Sequence, residues 1–142
     1  MNESKIITRY ATQLRDAGFK ATKPKVEILT ILAQSKKPLS VNDIFDLLKN
    51  TKPDLVTVYR CLKDFHAVGL VRKINVQQEQ SYYEYAGHSD HHHFICSQCG
   101  LVEDIKDCDL GAVINYAIRH SKNFKSATEH SFEIFGVCRS CG

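Results

Sequence analysis

The sequence predicts an α+β chain in two parts: a winged helix-turn-helix half, then a smaller half organised around four cysteines. Three observations lead there. Helical apolar spacing with clear stops fills roughly the first 69 residues and then gives way to two short strand-like runs. Basic charge lies before residue 80 and metal-type side chains after it. Two C-x-x-C pairs, Cys96/Cys99 and Cys138/Cys141, have 38 residues between them.

The helical half is well punctuated. Residues 3–17 carry Ile6, Ile7, Tyr10, Leu14 and Ala17 near helical spacing, and Gly18 ends the segment. Pro24 suits the first turn of a second helix through Val26, Ile28, Leu29, Ile31 and Leu32. Pro38 interrupts it. Ser40 is an N-cap with Asp43 three residues on, the spacing of a capping box, and Val41, Ile44, Phe45 and Leu48 form the apolar stripe of a third helix. Pro53-Asp54 stops the chain again. A fourth helix carries Val56, Tyr59, Leu62, Lys63 and Phe65 and ends near Gly69. Leu70–Val76 and Ser81–Tyr85 flank the polar turn Gln77–Gln80, which predicts a β-hairpin. The third and fourth helices are the helix-turn-helix pair. Thr57, Tyr59, Arg60 and Lys63 on the fourth are of types that reach base edges and phosphates.

Charge sharpens this division. Of the 142 residues, 1–80 hold 14 Lys+Arg against 8 Asp+Glu, a net of +6; 81–142 hold 5 against 8, a net of −3. A basic half suits a polyanion partner. The hydrophobic share of 43% and charged share of 25% are those of a globular chain rather than a disordered one. No apolar run approaches 18 residues, so no transmembrane helix or membrane partner is expected. The opening MNESKIITRYATQL lacks a basic-then-apolar signal region, which predicts a reducing, cytoplasmic location.

Six of seven histidines and five of six cysteines follow residue 80. A C-x-x-C turn puts two thiolates on one side of a zinc ion, and two such turns complete a tetrahedral site, so Cys96, Cys99, Cys138 and Cys141 predict structural Zn2+. Gly100 and Gly142 follow the two pairs directly, as tight knuckle turns require. Disulfides suit a secreted protein better, and a thioredoxin-like pair explains neither two copies nor the lack of a βαβ pattern. Cys61 and Cys108 read as small apolar fillers. If His91–Cys96 is extended, His91 and His93 share one face, while His92 shares the other with Phe94 and Cys96. His91 and His93, with Glu84 upstream and Asp104 downstream, make a mixed nitrogen–oxygen set suited to Fe2+, Zn2+ or Mn2+. Asp90, His92 and His130 are a further candidate cluster on the opposite face.

In this order and spacing, Ala21-Thr22-Lys23-Pro24-Lys25, Thr57-Val58-Tyr59-Arg60, Gly69-Leu70-Val71, Tyr83-Glu84, His91-His92-His93-Phe94-Ile95-Cys96 with Cys99-Gly100, and His130 with Gly136-Val137-Cys138 resemble the ferric uptake regulator family of bacterial metalloregulators, over nearly the whole chain. The resemblance implies a winged-helix DNA-binding domain over residues 1–85 and a metal-binding α/β dimerisation domain over 86–142. It implies a structural zinc on the four cysteines, a regulatory metal at the domain hinge, and a metal-loaded homodimer bound to an A/T-rich palindromic double-stranded DNA operator. Such a dimer would set its two recognition helices about one helical turn of DNA apart.

Residue by residue, the resemblance gives Tyr59 and Arg60 recognition-helix contacts, with Thr57 beside them, and Lys20 a minor-groove contact. It makes Glu84, His91, His93 and Asp104 the regulatory ligands, and Asp90, His92 and His130 an additional site. Two positions depart from the family. Lys36-Lys37-Pro38-Leu39-Ser40 lacks the histidine that iron- and peroxide-sensing members usually supply there. Gly111 replaces the glutamate of the additional site, leaving Asp109 or Cys108 to substitute. The first departure favours zinc. The absence of cysteine from residues 85–90 disfavours it, so the regulatory ion stays open between Fe2+ and Zn2+, with Mn2+ also suited to the donors.

No H-E-x-x-H motif is present, so a zinc hydrolase or other enzyme is not expected. The alternative is a metal-buffering or zinc-binding interaction protein without DNA activity. Metal-dependent retardation of A/T-rich duplex, with a steep salt dependence, separates the two.

Overall fold

A computed structural model describes residues 2–75, 80–88, 92–106, 109–128, 130 and 132–142. The chain divides into two compact units, Met1–Ser89 and Asp90–Gly142.

The first unit contains α1 (Glu3–Asp16), α2 (Lys23–Gln34), β1 (Leu39–Ser40), α3 (Val41–Leu47), α4 (Leu55–Ala67), β2 (Val71–Asn75) and β3 (Ser81–Tyr85). Leu14, Ile28, Leu29, Leu32, Ile44, Val58, Leu62 and Phe65 meet in one fully buried cluster, drawn from all four helices. Each such side chain contributes about 1.5–3 kcal/mol relative to exposure. Cys61 is buried in the same cluster, consistent with its reading as an apolar filler.

Local signals set the boundaries. Pro24 lies in the first turn of α2. The Ser40/Asp43 capping box forms in both directions: the Asp43 amide donates to the Ser40 hydroxyl at 3.1 Å, and the Ser40 amide to the Asp43 carboxylate at 2.9 Å. Asp54, which the sequence suggested as a chain stop, is the N-cap of α4, accepting from the Thr57 amide at 2.7 Å. Gly69, at φ +79°, ends α4; the Leu70 amide then donates to the Phe65 carbonyl at 2.9 Å, the long bond of a Schellman turn.

The expected hairpin is β2 against β3, antiparallel, with Lys73 opposite Tyr83 and Arg72 opposite Glu84. The strand expected over Leu70–Val76 spans Val71–Asn75; Val76 and Gln77–Glu79 of the turn lie outside the described residues. A third strand was not foreseen. The two-residue β1 pairs with the free edge of β3, Leu39 opposite Tyr83, giving the order β1-β3-β2.

The second unit contains β4 (His92–Cys96), β5 (Val102–Ile105), α5 (Gly111–His120) and β6 (Glu133–Gly136). The sheet order is β5-β4-β6, with β5 antiparallel and β6 parallel to the central β4. No side chain of α5 is buried. Val113 and Tyr116 are 57% and 64% exposed.

Candidate metal centre and nucleic-acid face

The four thiols of the C-x-x-C pairs converge. Cys96 ends β4, and Cys99 follows in a turn closed by the Gly100 amide, which donates to the Cys96 carbonyl at 2.9 Å. Gly100 sits at φ +75°, a backbone state that disfavours other residues. The second knuckle repeats the device: the Cys141 and Gly142 amides both donate to the Cys138 carbonyl at 3.0 Å. The parallel pairing of β4 with β6 brings the knuckles together, with Cys96 opposite Gly136. All four sulfurs lie within 4.8 Å of one another, and Cys99 and Cys138 are 3.7 Å apart. Four sulfurs arranged tetrahedrally at the zinc–sulfur bond length of about 2.3 Å stand about 3.8 Å apart, so the cluster has the dimensions of a structural zinc site. Among the described residues it is the one group of three or more metal-type donors that converges this way.

Proton affinities within the cluster are split. Amides of Cys138, Cys99 and Gln98 lower the Cys96 thiol to about 6, the first of them from 3.3 Å. The Leu101 amide pulls Cys99 down, but hydrogen bonds with Cys96 and Cys138 outweigh it and the net direction is up. Cys141 is pushed up to about 12 by its bonds with Cys138 and Cys99. A divalent cation relieves this competition, because it takes four thiolates and expels the shared protons.

The histidines of β4 point to both faces. His92 and His93 are both buried, at 7% and 4% exposure. His93 lies opposite Asp104 on β5, with Nε2 3.5 Å from the carboxylate. His92 Nε2 lies 3.3 Å from His130 Nε2, and Phe132 packs edge-on to the His92 ring. Two nitrogen or oxygen ligands of a tetrahedral ion stand about 3.4 Å apart at bond lengths near 2.1 Å. Both pairs have that spacing. The structure thus brings together His93 with Asp104, and His92 with His130. His91, Asp90 and Cys108 lie outside the described residues. Asp109 accepts from the Gly111 amide at 2.9 Å, at the start of α5.

Glu84 belongs to the first unit. It is buried on β3, with the Arg72 guanidinium 3.6 Å from its carboxylate. Sequence reading passed over Arg72, although the register of a hairpin makes cross-strand partners predictable once the turn is fixed.

The exposed side of α4 carries the residues that the sequence reading expects to contact DNA. Tyr59 is 54% exposed, Arg60 and Lys63 are exposed and Thr57 is half-buried, while Val58, Cys61, Leu62 and Phe65 face the core. Arg60 is close enough to help lower the Asp54 carboxyl, which Thr57 lowers most. Lys20 is exposed in the link between α1 and α2. Sequence reading also missed Glu27 on α2. Its carboxylate accepts from the amides of Lys49, Asn50 and Thr51 at 2.9, 2.9 and 2.8 Å, and from the Thr51 hydroxyl at 2.5 Å. Those donors form the turn between α3 and α4, so Glu27 fixes the entry to α4.

The family model described as the ferric uptake regulator family matches residues 16–135. The chain is 37% identical over 132 residues to the ferric uptake regulation protein of Legionella pneumophila, covering 91% of this chain and 96% of that protein. It is 31% identical over 130 residues to the peroxide-responsive repressor PerR of Staphylococcus aureus, covering 90% and 86%. Among solved structures it is similar to the ferric uptake regulator from Pseudomonas aeruginosa with manganese, at TM-score 0.78 and 27% identity, covering 92% of this chain and 98% of that one.

Proposed function

Because the chain belongs to the ferric uptake regulator family, and is on that ground a metal-responsive transcription regulator rather than an enzyme, we propose that it is a homodimeric repressor. It binds an A/T-rich palindromic operator when a divalent ion, Fe2+ or Zn2+, with Mn2+ as a further candidate, occupies its regulatory site. Zn2+ on Cys96, Cys99, Cys138 and Cys141 holds the second unit together. His91, His93 and Asp104 hold the regulatory ion, and Glu84 is the fourth ligand. Asp90, His92 and His130 form the additional site. Tyr59, Arg60 and Thr57 approach base edges and Lys20 the minor groove. A reducing cytoplasm is the compartment that keeps the four thiols available as ligands.

The observation that carries this reading is the His93–Asp104 pair. It places an imidazole nitrogen and a carboxylate side by side at ligand spacing, on adjacent strands of the unit that also holds the thiol cluster. The exposed apolar side chains of α5 support the dimer, since a helix with no buried residue gains little from its own protomer. The metal can raise DNA affinity only by binding the DNA-competent state more tightly than the alternative, and the coupling is reciprocal.

The test is elemental analysis of protein purified without added metal, then duplex titrations with Fe2+, Zn2+ and Mn2+. His91→Ala and His93→Ala should each abolish the metal response while the four-thiol zinc and the dimer persist. Metal-responsive DNA binding of wild-type strength in both variants would remove the regulatory assignment.

A further inference from the structure

A groove of about 490 Å³ runs along the first unit, between the start of α3, the outer side of α4 and the wing strands β2 and β3. Tyr59, Arg60, Lys63, Lys73 and Ser81 line it, and no carboxylate among its described residues does. Lys63 lies one turn beyond Tyr59 and Arg60, so it shares their side of the helix. Lys73 rises from β2 opposite Tyr83, between Arg72, which Glu84 engages, and Ile74, which is buried. Neither Lys63 nor Lys73 has an ion pair or side-chain hydrogen bond in the described structure. Two lysines thus line one groove, one from the helix and one from the wing strand, without a counter-charge of their own among the described residues.

We propose that this groove cradles a backbone phosphate of the bound duplex, held by Lys63 from the helix and Lys73 from the wing. The proposal rests on the DNA-binding reading above and adds the residues that position the duplex. A phosphodiester fits on chemical grounds. It is a compact anion with acceptor oxygens only, the complement of ammonium and hydroxyl donors. Its place beside Tyr59 and Arg60 suits the division of labour in which phosphate contacts fix register and base contacts supply specificity.

The test is the salt dependence of duplex affinity, measured by fluorescence anisotropy with the Mn2+- or Zn2+-loaded protein on an A/T-rich palindromic duplex and on a shuffled duplex of equal length. Each phosphate contact contributes about 0.9 to the slope of log affinity against log salt. With one cradled phosphate per protomer, and so two per dimer, the Lys63→Ala/Lys73→Ala double variant should therefore lose about 1.8 of that slope. Between roughly 50 and 200 mM salt, wild-type affinity should fall about tenfold further than that of the variant. The preference for palindrome over shuffled duplex should not move, thermal unfolding should match wild type, and the Lys63→Arg/Lys73→Arg variant should keep the slope.

An unchanged slope with intact DNA binding overturns the cradle and leaves the DNA-binding reading standing. A reduced palindrome preference at unchanged slope overturns it too, since the lysines would then read bases. Displacement of wild type, but not of the variant, by inorganic phosphate at constant ionic strength assigns the groove to the free ion instead. Failure of the loaded wild type to bind either duplex removes the DNA-binding reading and the cradle together.

Discussion

Replacing Glu27 with alanine should loosen the turn that leads into α4. The carboxylate accepts four hydrogen bonds across the α3–α4 turn. The two from Thr51 are partly buried, and at about 1 kcal/mol each they account for most of the effect. The amides of Lys49 and Asn50 are exposed and find water in the variant, so they add about 0.5 kcal/mol or less each. The sum, about 2–3 kcal/mol, lowers the unfolding temperature of a domain of this size by roughly 10 °C or more.

The pH dependence has a definite sign. Burial opposes ionisation of Glu27, but the Thr51 hydroxyl and the amides of Asn50, Lys49 and Thr51 outweigh it and hold the carboxyl below the ordinary glutamate value. A carboxylate depressed on folding stabilises the protein above its unfolded value and loses that contribution as pH falls through the folded one. The gap between wild type and Glu27→Ala should therefore be full at neutral pH and close below about pH 4. Amide hydrogen exchange supplies a local check, since Lys49, Asn50 and Thr51 should exchange faster in the variant. Equal stability at pH 7 together with unchanged exchange at those three amides would refute the reasoning.

Four further outcomes follow. Cys96→Ser should lose zinc and unfold the second unit, because structural zinc supplies roughly 10–16 kcal/mol in small domains, as much as a domain's whole stability; far-UV circular dichroism and elemental analysis check this. Zinc affinity of the intact cluster should fall as pH falls, and binding at pH 7 should release protons that Cys99 and Cys141 hold in the metal-free protein, measurable by calorimetry in buffers of different ionisation enthalpy. Arg60→Ala should weaken operator binding by about 1–3 kcal/mol and relax sequence preference, whereas Tyr116→Glu should leave the fold intact and shift light-scattering mass towards the monomer.

What could be read from the sequence was whatever is encoded within a few residues. The Ser40/Asp43 capping box, the knuckles at Cys96–Gly100 and Cys138–Gly142, and the buried side of α4 at Cys61, Leu62 and Phe65 all follow from short-range spacing. Opposite faces for His92 and His93 follow from the two-residue period of a strand. Longer-range features left no periodic trace. Glu27 meets residues 22 to 24 positions away, so nothing near it announces the clamp. β1 is two residues long, too short for a pattern, and exists because β3 has an edge to pair. Val56 and Tyr59 match helical spacing but face outward, because the apolar side of α4 is set by Val58 and its neighbours. The pairing of β4 with β6 joins segments on either side of α5 and depends on the fold of the whole unit.

Strand β4 has a consequence for how metals enter the protein. Over five residues it carries His92, His93 and Cys96, so one backbone segment belongs to both histidine pairs and to the thiol cluster. The pairing of β4 with β6 brings the two knuckles together, and a filled thiol cluster would in turn lock that pairing in place. On the proposed assignments loading should therefore be ordered, with the four thiols filling first and raising the affinity of the histidine pairs. A preparation with half its thiol sites filled should then hold two populations, one able to respond and one inert. Its titration curve should saturate at half the expected stoichiometry, and supplying zinc before the second ion should restore the missing half.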